Sequence, residues 1–222
     1  MQIRELTLKT SVIRELYDFY GGILNFEIDE PSEKNKLIIN AGNSVLIFEA
    51  CATDVKPLYH FAFNIPSNKI EEARDWLKER VDLIWLPDYE SHVADFSGWH
   101  AKSLYFLDPA GNIVEFISRF DLNDMVRTPF SELQIRNISE LGIVFPAPAY
   151  KKRVEELLAC HGMSWFNKQE PQEHFCALGD DQGLFIVVPE SHFWYPTTDC
   201  PASPSPLKVK YLVGSKLFSF RQ

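Results

Sequence analysis

Short stretches of alternating apolar and polar residues recur along the chain, interrupted at intervals by a helical period. Residues 2–9 alternate as a strand, with Leu6 and Leu8 on one face and Glu5 and Thr7 on the other. Ser11 is placed to cap a helix whose apolar positions are Val12, Leu16, Phe19, Tyr20 and Ile23, with Gly21-Gly22 at its end. Short strands are expected near 24–29, 36–40 and 44–50, the last two joined by a turn at Ala41-Gly42-Asn43. This βαβββ pattern then repeats. Residues 58–65 form a strand, Pro66-Ser67 introduces a helix carrying Ile70, Ala73, Leu77 and Val81, and strands follow near 82–86, 102–107 and 112–118. A weaker third copy has a strand at 138–145, a helix at 149–161 with Val154, Leu157 and Leu158 inward, and strands near 163–166, 173–178 and 183–188. Residues 190–206 read as a proline-rich loop, and 207–213 as a final strand that begins an incomplete fourth unit.

One such unit cannot bury its sheet face alone, so the repetition is itself a fold signal. It predicts an α+β fold of repeated βαβββ modules forming a curved mixed-sheet cup. The expected division is 1–120 as paired modules holding the cup, 121–134 as a linker, and 135–222 as a degenerate third module plus a final strand. With the greasier strand faces against the helices, the opposite faces line the concavity.

One hairpin carries the strongest chemical signal. Leu104–Arg119 reads as strand, tight turn at Asp108-Pro109-Ala110-Gly111, and strand. Glu115 stands alone in the apolar run Ile113–Ile117, and a buried carboxylate is costly unless paired or bound to a metal. Its face is shared with Ile113 and Ile117. In the strand at 58–65, His60, Ala62 and Asn64 share the face opposite Phe61 and Phe63. Glu5 and His60 occupy equivalent places in their first strands, so Glu5, His60 and Glu115 are expected to point into the cup. Glu140 holds the same place in the third copy, where a structural role is expected.

Composition narrows the partners. The chain has 222 residues, 45% of them hydrophobic, with a net charge of −9 and a pI near 5.2. That acidity argues against nucleic acid and against an anionic membrane surface. No apolar run reaches the roughly 20 residues of a membrane span, and no signal-peptide core is read at the N-terminus. Cys51, Cys160, Cys176 and Cys200 form no CxxC pair and are read as reduced, mostly packed thiols of a cytoplasmic protein. Two modules in one chain complete a cup, so a homodimer is allowed but not required. The third copy is left three roles: packing on the others, a dimer surface, or a second pocket.

Three segments resemble the vicinal oxygen chelate superfamily, which includes glyoxalase I, extradiol ring-cleaving dioxygenases and the fosfomycin- and bleomycin-resistance proteins. They are Phe19-Tyr20-Gly-Gly-Ile-Leu24-Asn-Phe26, His60-Phe-Ala-Phe63 and Phe106-Leu-Asp-Pro-Ala-Gly-Asn-Ile-Val-Glu115-Phe. The resemblance covers residues 2–119 and is only topological over 135–213. It implies a divalent metal held by one ligand from the first strand of each of two units and a Glu from the fourth strand of the second. By position these are Glu5, His60 and Glu115. The implied cofactor is one divalent ion (Fe, Mn, Ni, Co or Zn), chelated by two neighbouring oxygens of a small oxygen-rich substrate. The metal would act as a Lewis acid for an enolate or similar oxyanion, or as a site for O2.

The departures from the family pattern bear on the chemistry. Glu5 stands where His is common, and the place of an additional fourth-strand Glu falls on Leu46 when counted from the turn glycine, with Glu49 on the opposite face. Tyr105 resembles the active-site Tyr of ring-cleaving relatives, and Trp99 and His100 are placed to line the mouth. His92, His161, His174 and His192 have no ligand spacing and are expected on the surface or in loops. Trp194 and Tyr195 either cover a sheet edge or close a pocket. The implied function is glyoxalase-like isomerase or lyase chemistry. The alternatives are extradiol ring cleavage, or metal-free small-molecule binding or resistance.

Overall fold

Residues 1–29, 35–52, 54 and 56–222 are described by the computed structural model. The first unit runs β1 (Gln2–Thr10), α1 (Ile13–Tyr17), β2 (Ile28–Asp29), β3 (Lys36–Ala41) and β4 (Ser44–Ala50). The second runs β5 (His60–Ile65), α2 (Ile70–Lys78), β6 (Val93–Phe96), β7 (Ala101–Leu107) and β8 (Ile113–Arg119). The third runs β9 (Asn137–Phe145), α3 (Tyr150–Cys160), β10 (Cys176–Asp180) and β11 (Gly183–Pro189). A hairpin of β12 (Leu207–Val213) and β13 (Lys216–Arg221) ends the chain.

Local differences from the expected elements have local causes. Ser11 caps nothing; the Thr10 hydroxyl accepts the Val12 N–H instead, at 3.2 Å. The helix after β1 is a short α-helix that widens into a π-type turn over Asp18–Ile23, where Gly21-Gly22 weakens the regular helix. Residues 82–86 make only isolated bridges, because Leu86 turns back on Ser91 around Pro87; the strand of that place is β6. Residues 163–166 likewise supply a single bridge, Trp165 to Leu178. The final strand is followed by β13, which the sequence reading did not anticipate.

Pairing order overturns the expected partnership of units. One sheet runs β13-β12-β1-β4-β3-β2 and the other β10-β11-β9-β5-β8-β7-β6. First strands meet at each centre: β1 pairs antiparallel with β12, and β5 pairs antiparallel with β9. The first two units, expected to share a cup within 1–120, therefore lie in different sheets. The second unit shares its sheet with the third. Residues 121–134 are not a free linker either. Phe130 is buried edge-to-face on Trp76 at 5.6 Å, and its N–H donates to Glu72 at 2.9 Å.

The apolar backs of both sheets close one core with the helices between and beside them. Leu6, Leu8 and Phe48 of one sheet join Phe61, Phe63, Phe116 and Leu141 of the other. Each such buried side chain contributes about 1.5–3 kcal/mol of apolar transfer. Helix α2 adds Ile70, Ala73 and Leu77, one stripe at helical spacing. With the backs joined, the open faces point to opposite sides of the molecule.

The β7–β8 turn is pinned from within. Asp108 Oδ1 accepts the N–H groups of Ala110 and Asn112 at 2.9 and 3.0 Å, and its Oδ2 accepts from Tyr20 Oη and Asn112 Nδ2 at 3.1 and 2.8 Å. Asn112 Oδ1 accepts the Tyr59 N–H at 3.0 Å, tying the turn to the start of β5. Gly111 supplies the left-handed φ of 83° that the turn requires. This lock sets the register in which Glu115 enters the sheet.

Candidate metal centre

Strand register lays the site out as a row. Tyr105 of β7 faces Glu115 of β8, Glu115 faces Ala62 of β5, and Ala62 faces Glu140 of β9. His60 lies two residues along β5 from Ala62, on the same face. Ala62, in register between the two carboxylates, is fully buried and packs with Ala101 and Ile117. His60 Nε2 lies 3.5 Å from Glu115 Oε2 and 4.0 Å from Glu140 Oε2. One ligand atom from each of the three lies within 4.8 Å of the others, and all three side chains are buried.

His60 Nδ1 sits 3.2 Å from the Ile113 carbonyl, which assigns the ring proton to Nδ1 and leaves the Nε2 lone pair facing the carboxylates. Burial pulls the imidazole down to about 4, opposed by that carbonyl, so the ring is neutral at pH 7. Burial and the charge of Glu140 together push the Glu115 carboxyl well above the carboxylate range. Burial raises Glu140 as well, opposed by Arg119, whose Nη2 donates to Glu140 Oε1. Tyr105 is raised first by burial and then by Glu115, so its phenol stays protonated.

A divalent cation fits this donor set. A lone pair and two carboxylate oxygens converge, with Arg119 held on the other oxygen of Glu140, and a backbone acceptor orients the imidazole as it does for metal-binding histidines. His60, Glu115 and Glu140 are the residues that would hold it. The mixed N/O set suits several first-row metals and selects none of them.

Around these groups lies a cavity of about 510 Å³. Its walls are largely aromatic: Phe96, Trp99, Tyr105, Phe175, Trp194 and Tyr195, with Gln169, Gln172 and His192 as the polar complement. Among the described residues, no lysine or arginine lines it. Trp194 stands 5.3 Å from the His60 ring and rests on Gly142. Trp99 donates from Nε1 to Gln169 Oε1 at 3.1 Å.

Of the residues expected at the site, the structure brings together His60, Glu115, Tyr105 and Trp99. Glu5 is not among them. It lies on β1 in the other sheet, half-exposed, 3.0 Å from Lys210 Nζ. In register, Glu5 pairs with Val45 as His60 pairs with Ile113, so the counterpart of Glu115 is Ile47 rather than Leu46. The first sheet thus has no acid at that place of its fourth strand; Glu49, expected on the opposite face, shares the face of Ile47 two residues on and is paired with Lys9 at 2.9 Å. His100 is exposed, turned toward Asp121 at 3.3 Å, and does not line the cavity. Glu140, expected to be structural, supplies the third donor. The signal for it was present: a lone acid in an apolar strand, at the place of His60. Two further residues were missed. Arg119 was hidden at the end of β8, and His192 lay in a loop without ligand spacing.

No protein-family model and no curated protein matches the sequence. Solved structures do match. A Bacillus subtilis protein described as a candidate dioxygenase is 16% identical with a TM-score of 0.58, over 85% of this chain and 63% of that one. The match therefore spans less than two thirds of that relative. A glyoxalase/bleomycin resistance protein/dioxygenase from Nocardioides is 18% identical with a TM-score of 0.43, over 58% of this chain and 89% of that one. A lactoylglutathione lyase from Agrobacterium tumefaciens is 19% identical with a TM-score of 0.41, over 51% and 90%. The α+β glyoxalase/dioxygenase fold expected from the sequence is the fold of this chain. No helix among the described residues is long and apolar enough to cross a membrane.

Proposed function

We propose that the chain is a divalent-metal-dependent enzyme of the vicinal oxygen chelate type, with His60, Glu115 and Glu140 as the metal ligands. The observation that carries this reading is the convergence of one neutral imidazole and two buried carboxylates from three strands. A bound metal supplies Lewis-acid chemistry to two adjacent oxygens of a small molecule. The protein does the rest. Aromatic walls exclude water and stack on a flat substrate. Tyr105, protonated and beside Glu115, donates a hydrogen bond at the floor of the cavity. His192 is part of the wall, where burial and then His174 lower its imidazole.

The absence of lysine and arginine from the described wall favours a neutral, aromatic substrate over one with anionic arms. That preference moves ring cleavage ahead of isomerase or lyase chemistry. Metal-free binding of a small molecule is supported by a different observation: Arg119 already pairs with Glu140.

Elemental analysis of the protein after reloading with Mn, Fe, Co, Ni or Zn separates the readings. One equivalent of metal in the wild type, lost in His60→Ala, Glu115→Ala and Glu140→Ala with thermal unfolding retained, supports the enzyme. Absence of metal from the reloaded wild type sinks it and leaves the binding module.

A further inference from the structure

We propose that Arg119 is a positioning residue that takes one oxygen of Glu140 and leaves the other as a single-atom metal ligand; this rests on the metal reading above. Arg119 lies four residues beyond Glu115 on β8, on the same face, and its side chain is fully buried. Three contacts hold its guanidinium. Nη2 donates to Glu140 Oε1, Nε faces Ser139 Oγ at 3.3 Å, and Nη1 faces Asp181 at 3.5 Å. Trp99 and Phe166 flank it, with ring centroids at 5.7 and 5.9 Å. Lys168 holds Asp181 in turn, at 2.7 Å, so the fork has little freedom to turn away.

The two oxygens of Glu140 therefore have separate tasks. Oε1 belongs to Arg119, while Oε2 faces His60 Nε2. A bidentate grip by Glu140 on a metal would require breaking a buried, charge-assisted hydrogen bond. The same guanidinium repels a cation, so Arg119 also holds the affinity of the site below what two free carboxylates would give. An exchangeable metal and open coordination positions follow from this arrangement.

Mn²⁺ serves as the probe. Free Mn²⁺ is followed by EPR in a titration of the full-length protein, and bound waters are counted by water-proton relaxation. Three single-atom ligands on an octahedral ion leave about three waters. Arg119→Gln removes the repelling charge and frees Oε1; it should bind Mn²⁺ at least about tenfold more tightly and hold one water fewer. Arg119→Lys keeps the charge and should stay within about threefold of wild-type affinity. A folded Arg119→Gln protein that binds Mn²⁺ no more tightly than wild type overturns the proposal. If that variant does not unfold cooperatively, the wild-type water count decides: two or fewer waters overturn it. No Mn²⁺ uptake by the wild type overturns the metal reading itself and this inference with it, an outcome distinct from the others.

Discussion

Glu140 Oε2 reaches to 4.0 Å from His60 Nε2 across the seam between β5 and β9, which belong to different repeats. The candidate metal centre is therefore built where two first strands meet, from the second and third units. That relationship has direct consequences for the expected ligand set.

Glu5→Ala should leave metal content unchanged and alter stability by less than about 1 kcal/mol, since its ion pair with Lys210 is on a solvated sheet face. Glu140→Ala, by contrast, should lose the metal. Elemental analysis of the two variants side by side checks this. Loss of metal in the Glu5 variant would contradict the assignment.

Ala62→Val would push two methyl groups into the space between Glu115 and Glu140. The back of Ala62's strand is untouched, so the fold should survive at a cost of about 1–3 kcal/mol, with metal uptake much reduced. Full metal occupancy in the Ala62→Val protein would show that the gap between the acids is not the binding space.

Gly142→Ala places a methyl carbon 2.6 Å from Trp194 Cη2 and 3.2 Å from the His60 carbonyl oxygen. Trp194 must leave its seat or β9 must shift, at a cost of about 1–3 kcal/mol. Indole fluorescence and chemical denaturation read both effects. An unchanged emission spectrum with unchanged stability would refute the packing argument.

Asp108 gives a pH dependence of stability. Burial raises its carboxyl to about 6, opposed by hydrogen bonds from Asn112, Tyr20 and Ala110. The folded protein therefore holds this proton more tightly than the unfolded chain does. The stabilisation from this group is full below its unfolded value near 4 and is lost as pH rises through about 6. Urea unfolding at pH 4.5 and pH 7 should show the loss, on the order of 2–3 kcal/mol before other groups are included. Asp108→Asn should flatten that segment of the profile while lowering stability overall, since an amide cannot accept from both Tyr20 and Asn112 Nδ2. The slope would have to survive in the Asn variant for the assignment to fail.

Much of this molecule was legible in its residues. Alternation at 2–9, 58–65 and 138–145 located β1, β5 and β9, and the Asp108–Gly111 turn located the β7–β8 hairpin and Glu115. The isolation of Glu115 among apolar neighbours marked it as needing a partner, and the repeat pointed to His60 on the matching face. The same argument applied to Glu140, but the third copy reads as a weaker repeat of the pattern, so a structural role was expected of it. Arg119 carried no signal, because a basic residue at a strand end is usually solvated; only the packing of Ser139, Asp181 and two rings around it makes it internal.

Local sequence determined the units, their buried faces and the chemical character of two of the donors, because side-chain alternation and turn chemistry act over a few residues. The pairing of units was decided only in three dimensions. Repeats with similar strand edges can be joined in more than one order, and hydrogen bonding along an edge does not identify its neighbour. What selected β9 for β5, and β12 for β1, was the single core that both sheets close with their apolar backs. That choice turned Glu5 toward Lys210 on one side of the molecule and brought Glu140 to His60 and Glu115 on the other.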